Sequence, residues 1–346
     1  LQFQTNIALL INESLSAEVA RRWNSLTKPP GSLGRLEPLI TQLALIQGQP
    51  VPRVQRQAMA VFCADHGVTA EGVSAYPREV TAQMVKNFVS GGAAVSVLCR
   101  HLGITPFIID AGVDSEPEPG VVDLRIARGT ANMTLEPAMT IPQTLRALNN
   151  GAELARQMRN DYDLAAVGEM GIGNTTAASA LLCAFTGLTP ERAVGPGTGL
   201  NPEGIARKTR AIAAAIARHK GTIETKYPIA ILASVGGFEI ATMAGFLLGA
   251  AEQRLPVIVD GFISSSAALT AAAIEPKVLN YLLFSHVSAE PAHRLMLNHL
   301  GVKPILDLDL RLGEGSGAAL AFPLLGAAHA LYTGMATFGE AGVSEG

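Results

Sequence analysis

The sequence predicts an α/β protein with a parallel sheet flanked by helices, and three features of its 346 residues lead there. Short apolar runs rich in β-formers recur and stop abruptly at small or polar residues. Helix-like stretches separate most of those runs. The first fifty-odd residues lack the pattern and read as helical.

Six runs carry the first feature. AMAVFC ends at Asp65-His66-Gly67, PFIID at Ala111-Gly112, and LAAVG at Glu169-Met170-Gly171. IAILAS ends at Val235-Gly236-Gly237, LPVIVD at Gly261-Phe262, and LNYLLF at Ser285-His286. Parallel strands need crossover helices, so the six endings are expected along one sheet edge, where open α/β sheets bind ligands. Residues 229–250 are apolar enough to raise a membrane span, but Gly236, Gly237 and Glu239 interrupt them, and a buried strand followed by a helix is expected instead.

Before the first run stand an amphipathic segment containing Trp23, the turn KPPGSLGRLEP and a second helical stretch. After Arg311 come a glycine-rich turn and the apolar helix ALAFPLLGAAHALYTGMATF. Residues 1–55, joined by helices from about 316–346, are therefore expected to make a small helical domain, and residues 56–315 a large α/β one.

Composition narrows the function. The 26 basic against 29 acidic residues give a net charge of -3 without a basic stripe, which argues against nucleic acid. The cysteines, Cys63, Cys99 and Cys183, are odd in number and far apart, so neither a disulfide framework nor a CxxC metal site is expected. The first residues carry no basic start and no small-residue cleavage site, and a cytoplasmic location without membrane attachment is expected.

Four segments carry candidate chemistry. Residues 167–176, VGEMGIGNTT, run from a strand through glycines into a helix; unpaired amides there suit a phosphate, and Asn174, Thr175 or Thr176 suit capping. A phosphate cradle and a plain capped helix are equally open on pattern alone. Glu169 favours the cradle, because a carboxylate hemmed by glycines can accept from two ribose hydroxyls. Residues 195–201, GPGTGLN, precede a basic helix with Arg207, Lys208 and Arg210, where a solvated face is the plainer reading of any one cation. Residues 311–317, RLGEGSG, set Glu314 among glycines; helix-terminus charge compensation is the plain reading, a general base the functional one. Around residues 65–84, Asp65 and His66 read as structural, while Tyr76, Gln83 and Met84 suit either a flat heteroaromatic ligand or an ordinary core.

Ten motifs in order, KPPGSLGRLE, CADHGV, GVSAYP, DAGV, ARGTANM, VGEMGIGNTT, VGGFE, VDGF, SHVSAE and RLGEGSGAAL, resemble those of the nicotinate-nucleotide:dimethylbenzimidazole phosphoribosyltransferase family across nearly the whole chain. The resemblance implies a cytosolic homodimer with a large Rossmann-like domain and a small helical one, acting in assembly of the lower ligand of cobalamin. It implies transfer of 5-phosphoribosyl from nicotinate mononucleotide to 5,6-dimethylbenzimidazole, with inversion at the anomeric carbon and neither metal nor cofactor. By resemblance Glu314 is the base and Glu169 a ribose carboxylate. Gly171, Gly173, Asn174, Thr175, Gly197, Gly199, Lys208, Ser288 and Gly313 are implied around the substrates, and Tyr76, Gln83, Met170 and Leu312 around the benzimidazole. The chain departs from the family pattern at Ala75, where a serine is expected, and at Met170, where a leucine is expected.

Two rivals compete. A nucleotide-binding regulatory module would use the same glycines but no base. A dinucleotide oxidoreductase would need G-x-G-x-x-G opening the first helix, which no segment supplies.

Overall fold

The computed structural model describes residues 3–195 and 199–344. The chain opens with α1 (Glu13–Ser25) and α2 (Leu36–Gln47), then enters β1 (Gln57–Ala64). Helices α3 (Val80–Val89) and α4 (Ala94–Leu102) lead to β2 (Thr105–Gly112) and the short β3 (Val122–Asp123). The long α5 (Ile141–Asp161) returns to β4 (Leu164–Met170). Six helices follow: α6 (Asn174–Thr186), α7 (Pro190–Ala193), α8 (Pro202–Arg218), α9 (Lys220–Glu224), α10 (Pro228–Val235) and α11 (Phe238–Glu252). Then come β5 (Val257–Val259), α12 (Phe262–Ile274), β6 (Leu282–Phe284), β7 (His286–Val287), α13 (Pro291–Leu300), β8 (Leu306–Asp307), α14 (Ser316–Gly334) and α15 (Phe338–Ala341).

Six strands form one sheet in the order β3-β2-β1-β4-β5-β6, every pair parallel. This is the doubly wound order, and the chain reverses direction across the sheet between β1 and β4. Five of the six expected strands are present. The sixth is corrected: IAILAS lies in α10, not in a strand. A short run buried on all sides has no period to separate helix from strand, and α10 lies among α5, α6 and α12, away from the sheet. Pro228 at its first turn is the signal that favours a helix. The helical half of the 229–250 reading stands as α11. Among the described residues no helix is long and apolar enough to cross a membrane.

Both faces of the sheet are buried, as parallel sheets require. Along β1, Ala58, Ala60 and Phe62 face one core with α5, α6 and α11, while Met59, Val61 and Cys63 face another with Trp23, Ile40 and Phe322. The second core holds α1, α2 and α14 together. Trp23 lies 4.9 Å from Tyr332 between ring centroids, and the Thr27 amide donates to the Ala336 carbonyl at 3.1 Å. Two buried faces leave the strand C-terminal edge as the place where polar groups meet solvent and substrate.

Candidate active site

Glu169 is the last residue but one of β4, and the chain beyond it turns through Gly171 and Gly173 into α6. The Ile172 amide donates to Thr81 Oγ1 at 3.0 Å, which ties this turn to α3. Asn174, the first residue of α6, donates from Nδ2 to Glu169 Oε2, while among the described residues no hydrogen bond occupies Oε1. Thr175 Oγ1 accepts from Lys208 Nζ at 2.8 Å. Lys208 is only 1% exposed on α8, whose first turn Asn201 caps through the Gly204 amide. Burial pushes the Lys208 ammonium down to about 8, against the opposing charge of Glu290.

Glu314 arrives from the other side of the sequence. Gly313, Glu314 and Gly315 all have positive φ, and at Glu314 (φ 64) a side chain sits in a conformation L residues seldom adopt. A Cβ on Gly168 would run into the Glu314 carbonyl, so β4 admits this loop only because that position is glycine. Asp260, just past β5, holds the loop: Oδ2 accepts from the Gly315 amide at 3.1 Å and Oδ1 from the Ala318 amide at 2.9 Å. Glu314 Oε2 is buried without a hydrogen-bond partner among the described residues.

Burial is the main influence on both glutamates. It pushes the Glu169 carboxyl up to about 8, with the charges of Asp260 and Glu239 adding and the Asn174 hydrogen bond subtracting. It raises Glu314 as well, opposed by the Val95 amide at the start of α4 and assisted by Asp260. Two carboxyls with raised pKa values on one cavity form an arrangement suited to proton transfer.

That cavity lies at the C-terminal ends of β4, β5 and β6. Of the expected site residues, Glu169, Met170, Gly171, Asn174, Thr175, Ser288, Leu312, Gly313 and Glu314 line it. Lys208 reaches it through Thr175. Gly173 instead packs towards His66, Val68 and Thr69. Tyr76 is 52% exposed, Gln83 is exposed on α3 and Gly199 is exposed before α8, and none of the three lines the cavity. Gly197 falls outside the described residues. His66 is structural, as expected: its Nε2 lies 2.6 Å from Glu239 Oε1, both side chains buried beside the glycine turn.

Sequence reasoning missed Asp260, His286 and the start of α12. The sequence marked their place but not their part: Asp260 is the last residue of the fifth expected strand, α12 starts directly after it, and His286 stands just past the sixth.

A doubly wound sheet with a carboxylate-lined cavity beyond its strand ends is the architecture of an enzyme acting on a nucleotide-like ligand. The phosphoribosyltransferase family model matches residues 10–343, and the chain belongs to that family. It is 47% identical to the nicotinate-nucleotide--dimethylbenzimidazole phosphoribosyltransferase of Geobacter sulfurreducens over 97% of this chain and 96% of that one. Identity to the protein of the same name from Pseudomonas syringae pv. syringae is 52%, over 94% and 93%. The crystal structure of nicotinate-nucleotide-dimethylbenzimidazole phosphoribosyltransferase from Thermus thermophilus superimposes with a TM-score of 0.90 at 46% identity, covering 97% of this chain and 100% of that one.

Proposed function

We propose that this chain transfers the 5-phosphoribosyl group of nicotinate mononucleotide to 5,6-dimethylbenzimidazole, giving α-ribazole 5'-phosphate and nicotinate. The observation that carries the reading is the pair of buried carboxyls, Glu169 and Glu314, on one cavity, with Glu314 Oε2 unpartnered among the described residues. The relatives named above act, by their names, on these substrates.

The chemistry suits the residues. Nicotinate in the nucleotide is a pyridinium, and the electrons of the breaking C–N bond neutralise its ring nitrogen, so departure needs no acid. One benzimidazole nitrogen attacks the anomeric carbon while the other loses its proton to Glu314. A raised carboxyl pKa makes Glu314 a stronger base than an exposed glutamate. Glu169 accepts from the ribose, and Lys208 with the Thr175 region faces the phosphate. Gly171 lets the backbone approach the nucleotide from the cavity wall, while Gly173, Gly197 and Gly199 are kept as nucleotide contacts on the family resemblance alone. Met170 and Leu312 supply apolar contact to the acceptor from the cavity wall. Tyr76 and Gln83, outside the cavity, are kept as acceptor contacts on the family resemblance alone.

Product formation from both substrates without added metal, followed by chromatography, tests the reading. Glu314→Gln is expected to bind the nucleotide normally and to lose about 10²–10⁴-fold in kcat. Absence of product from the intact protein, with nucleotide binding retained, would leave a regulatory module instead. The same reading carries a homodimer in the cytoplasm, and sedimentation equilibrium checks the first of these.

A further inference from the structure

His286 has no part in the mechanism above, yet it lines the cavity and is only 2% exposed. Its neighbours favour one tautomer. Ser285 Oγ lies 2.9 Å from His286 Nδ1 and 3.3 Å from the Asp260 carbonyl, so it is placed to accept from Nδ1 while donating its single hydrogen to that carbonyl. The Asp260 carboxylate lies 3.7 Å from the same nitrogen and also favours a proton there. Nδ1 therefore carries the hydrogen in the neutral ring, and Nε2 carries the lone pair. Nε2 lies on the Gly261 side of the ring and has no hydrogen-bond partner among the described residues.

His286 lines the cavity, and an Nε2 with a free lone pair there offers an acceptor to a bound ligand. The ligand group must then be a donor. On the proposed substrates the phosphate and the nicotinate carboxylate only accept, and the benzimidazole N–H goes to Glu314. The ribose hydroxyls remain. Glu169 Oε2 already accepts from Asn174, and among the described residues no hydrogen bond occupies Oε1, so the second ribose hydroxyl is open to another acceptor on the cavity.

We propose that His286 is a substrate-binding residue whose Nε2 accepts a hydrogen bond from one ribose hydroxyl of the nucleotide, with Glu169 Oε1 taking the other. Ser285 and Asp260 act behind it as positioning residues that hold the tautomer. The inference rests on the nucleotide reading of the cavity but not on the transfer step.

Calorimetric binding of nicotinate mononucleotide, its 2'-deoxy and 3'-deoxy analogues, and nicotinate riboside, to the intact protein and to His286→Phe and His286→Gln, tests it. His286→Phe is expected to weaken nicotinate mononucleotide and nicotinate riboside by about tenfold. It should leave one of the two deoxy analogues unchanged, since that analogue lacks the hydroxyl concerned. His286→Gln, whose amide oxygen accepts in a similar direction, should recover most of the loss. Equal weakening of every ligand by both variants would show a merely structural residue, and a loss that vanishes with nicotinate riboside would place His286 on the phosphate; either overturns the proposal. An unchanged affinity in His286→Phe overturns it too. If the intact protein makes no α-ribazole phosphate while the deoxy coupling appears, the transferase reading fails and the role of His286 stands. Turnover without coupling gives the reverse.

Discussion

At the scale of single residues, Glu169 ties the pH dependence of stability to the active site. Its carboxyl is held up to about 8 against an ordinary 4.5 because burial disfavours the anion. A carboxyl whose folded pKa exceeds its unfolded value binds its proton more tightly when folded. The stability this confers is fully present below about 4.5 and is lost as pH rises through about 8. Glu169→Gln keeps an acceptor for Asn174 and cannot ionise, so its stability should fall less between about pH 5 and about pH 8.5 than that of the unaltered protein. The difference at the alkaline end is at most about 4 kcal/mol, and urea midpoints at the two pH values measure it. Parallel pH profiles would mean that Glu169 is ionised at little cost in the folded state. Glu169 and Glu314 were legible in the sequence because glycines flank them and because a strand end precedes the first. For His286 the position at the sheet edge was legible but the role was not, since it depends on Asp260, a residue distant in sequence that lies 3.7 Å from its Nδ1.

At the scale of elements, the most intimate contact in the fold is between α5 and α11, and glycine makes it possible. A Cβ on Gly245 would run into the Leu148 backbone, one on Gly151 into the Thr242 carbonyl, and one on Gly249 into the Ala152 backbone. Two opposing effects meet in Gly245→Ala. Alanine favours an exposed helix interior by about 1 kcal/mol over glycine, but a methyl forced into a packed helix crossing costs about 1–3 kcal/mol and must move backbone here. With backbone forced to move, the steric effect wins, and a net loss of up to about 2 kcal/mol is expected from chemical denaturation; a variant more stable than the parent would show that the helices stand further apart. The α5–α11 crossing was hidden from the sequence because small residues in an apolar segment look alike whether they face a helix, a sheet or a ligand. The same blindness turned α10 into an expected strand: with every neighbour apolar, the run had no polar face to reveal its period. Strands β1, β2 and β4 were legible because both sheet faces are buried, so each appears as an unbroken apolar run that ends where the polar edge begins.

At the scale of the whole molecule, the expected separation of a small helical domain from a large one meets a packing fact. Trp23 of α1, Ile40 of α2 and Phe322 of α14 share a core with Met59 and Val61 of β1 and Ala166 of β4. The terminal helices thus bury the same sheet face that the central strands need buried, and neither side keeps its apolar surface dry without the other. Tyr332 adds a hydrogen bond from its hydroxyl to the Pro50 carbonyl at 3.0 Å, and Arg22 donates to the carbonyls of Tyr332 and Met335 at 3.3 and 3.2 Å. Trp23 is the single tryptophan of the chain, so its fluorescence reports this joint alone. The shared core predicts that urea unfolding followed by Trp23 fluorescence coincides with unfolding followed by far-ultraviolet circular dichroism, which averages over all the helices. Tyr332→Phe, which deletes only the hydroxyl, should move both transitions together by about 1 kcal/mol. A fluorescence transition at lower urea than the dichroism transition would instead show terminal helices that open as an independent unit while the sheet and its carboxylates stay folded.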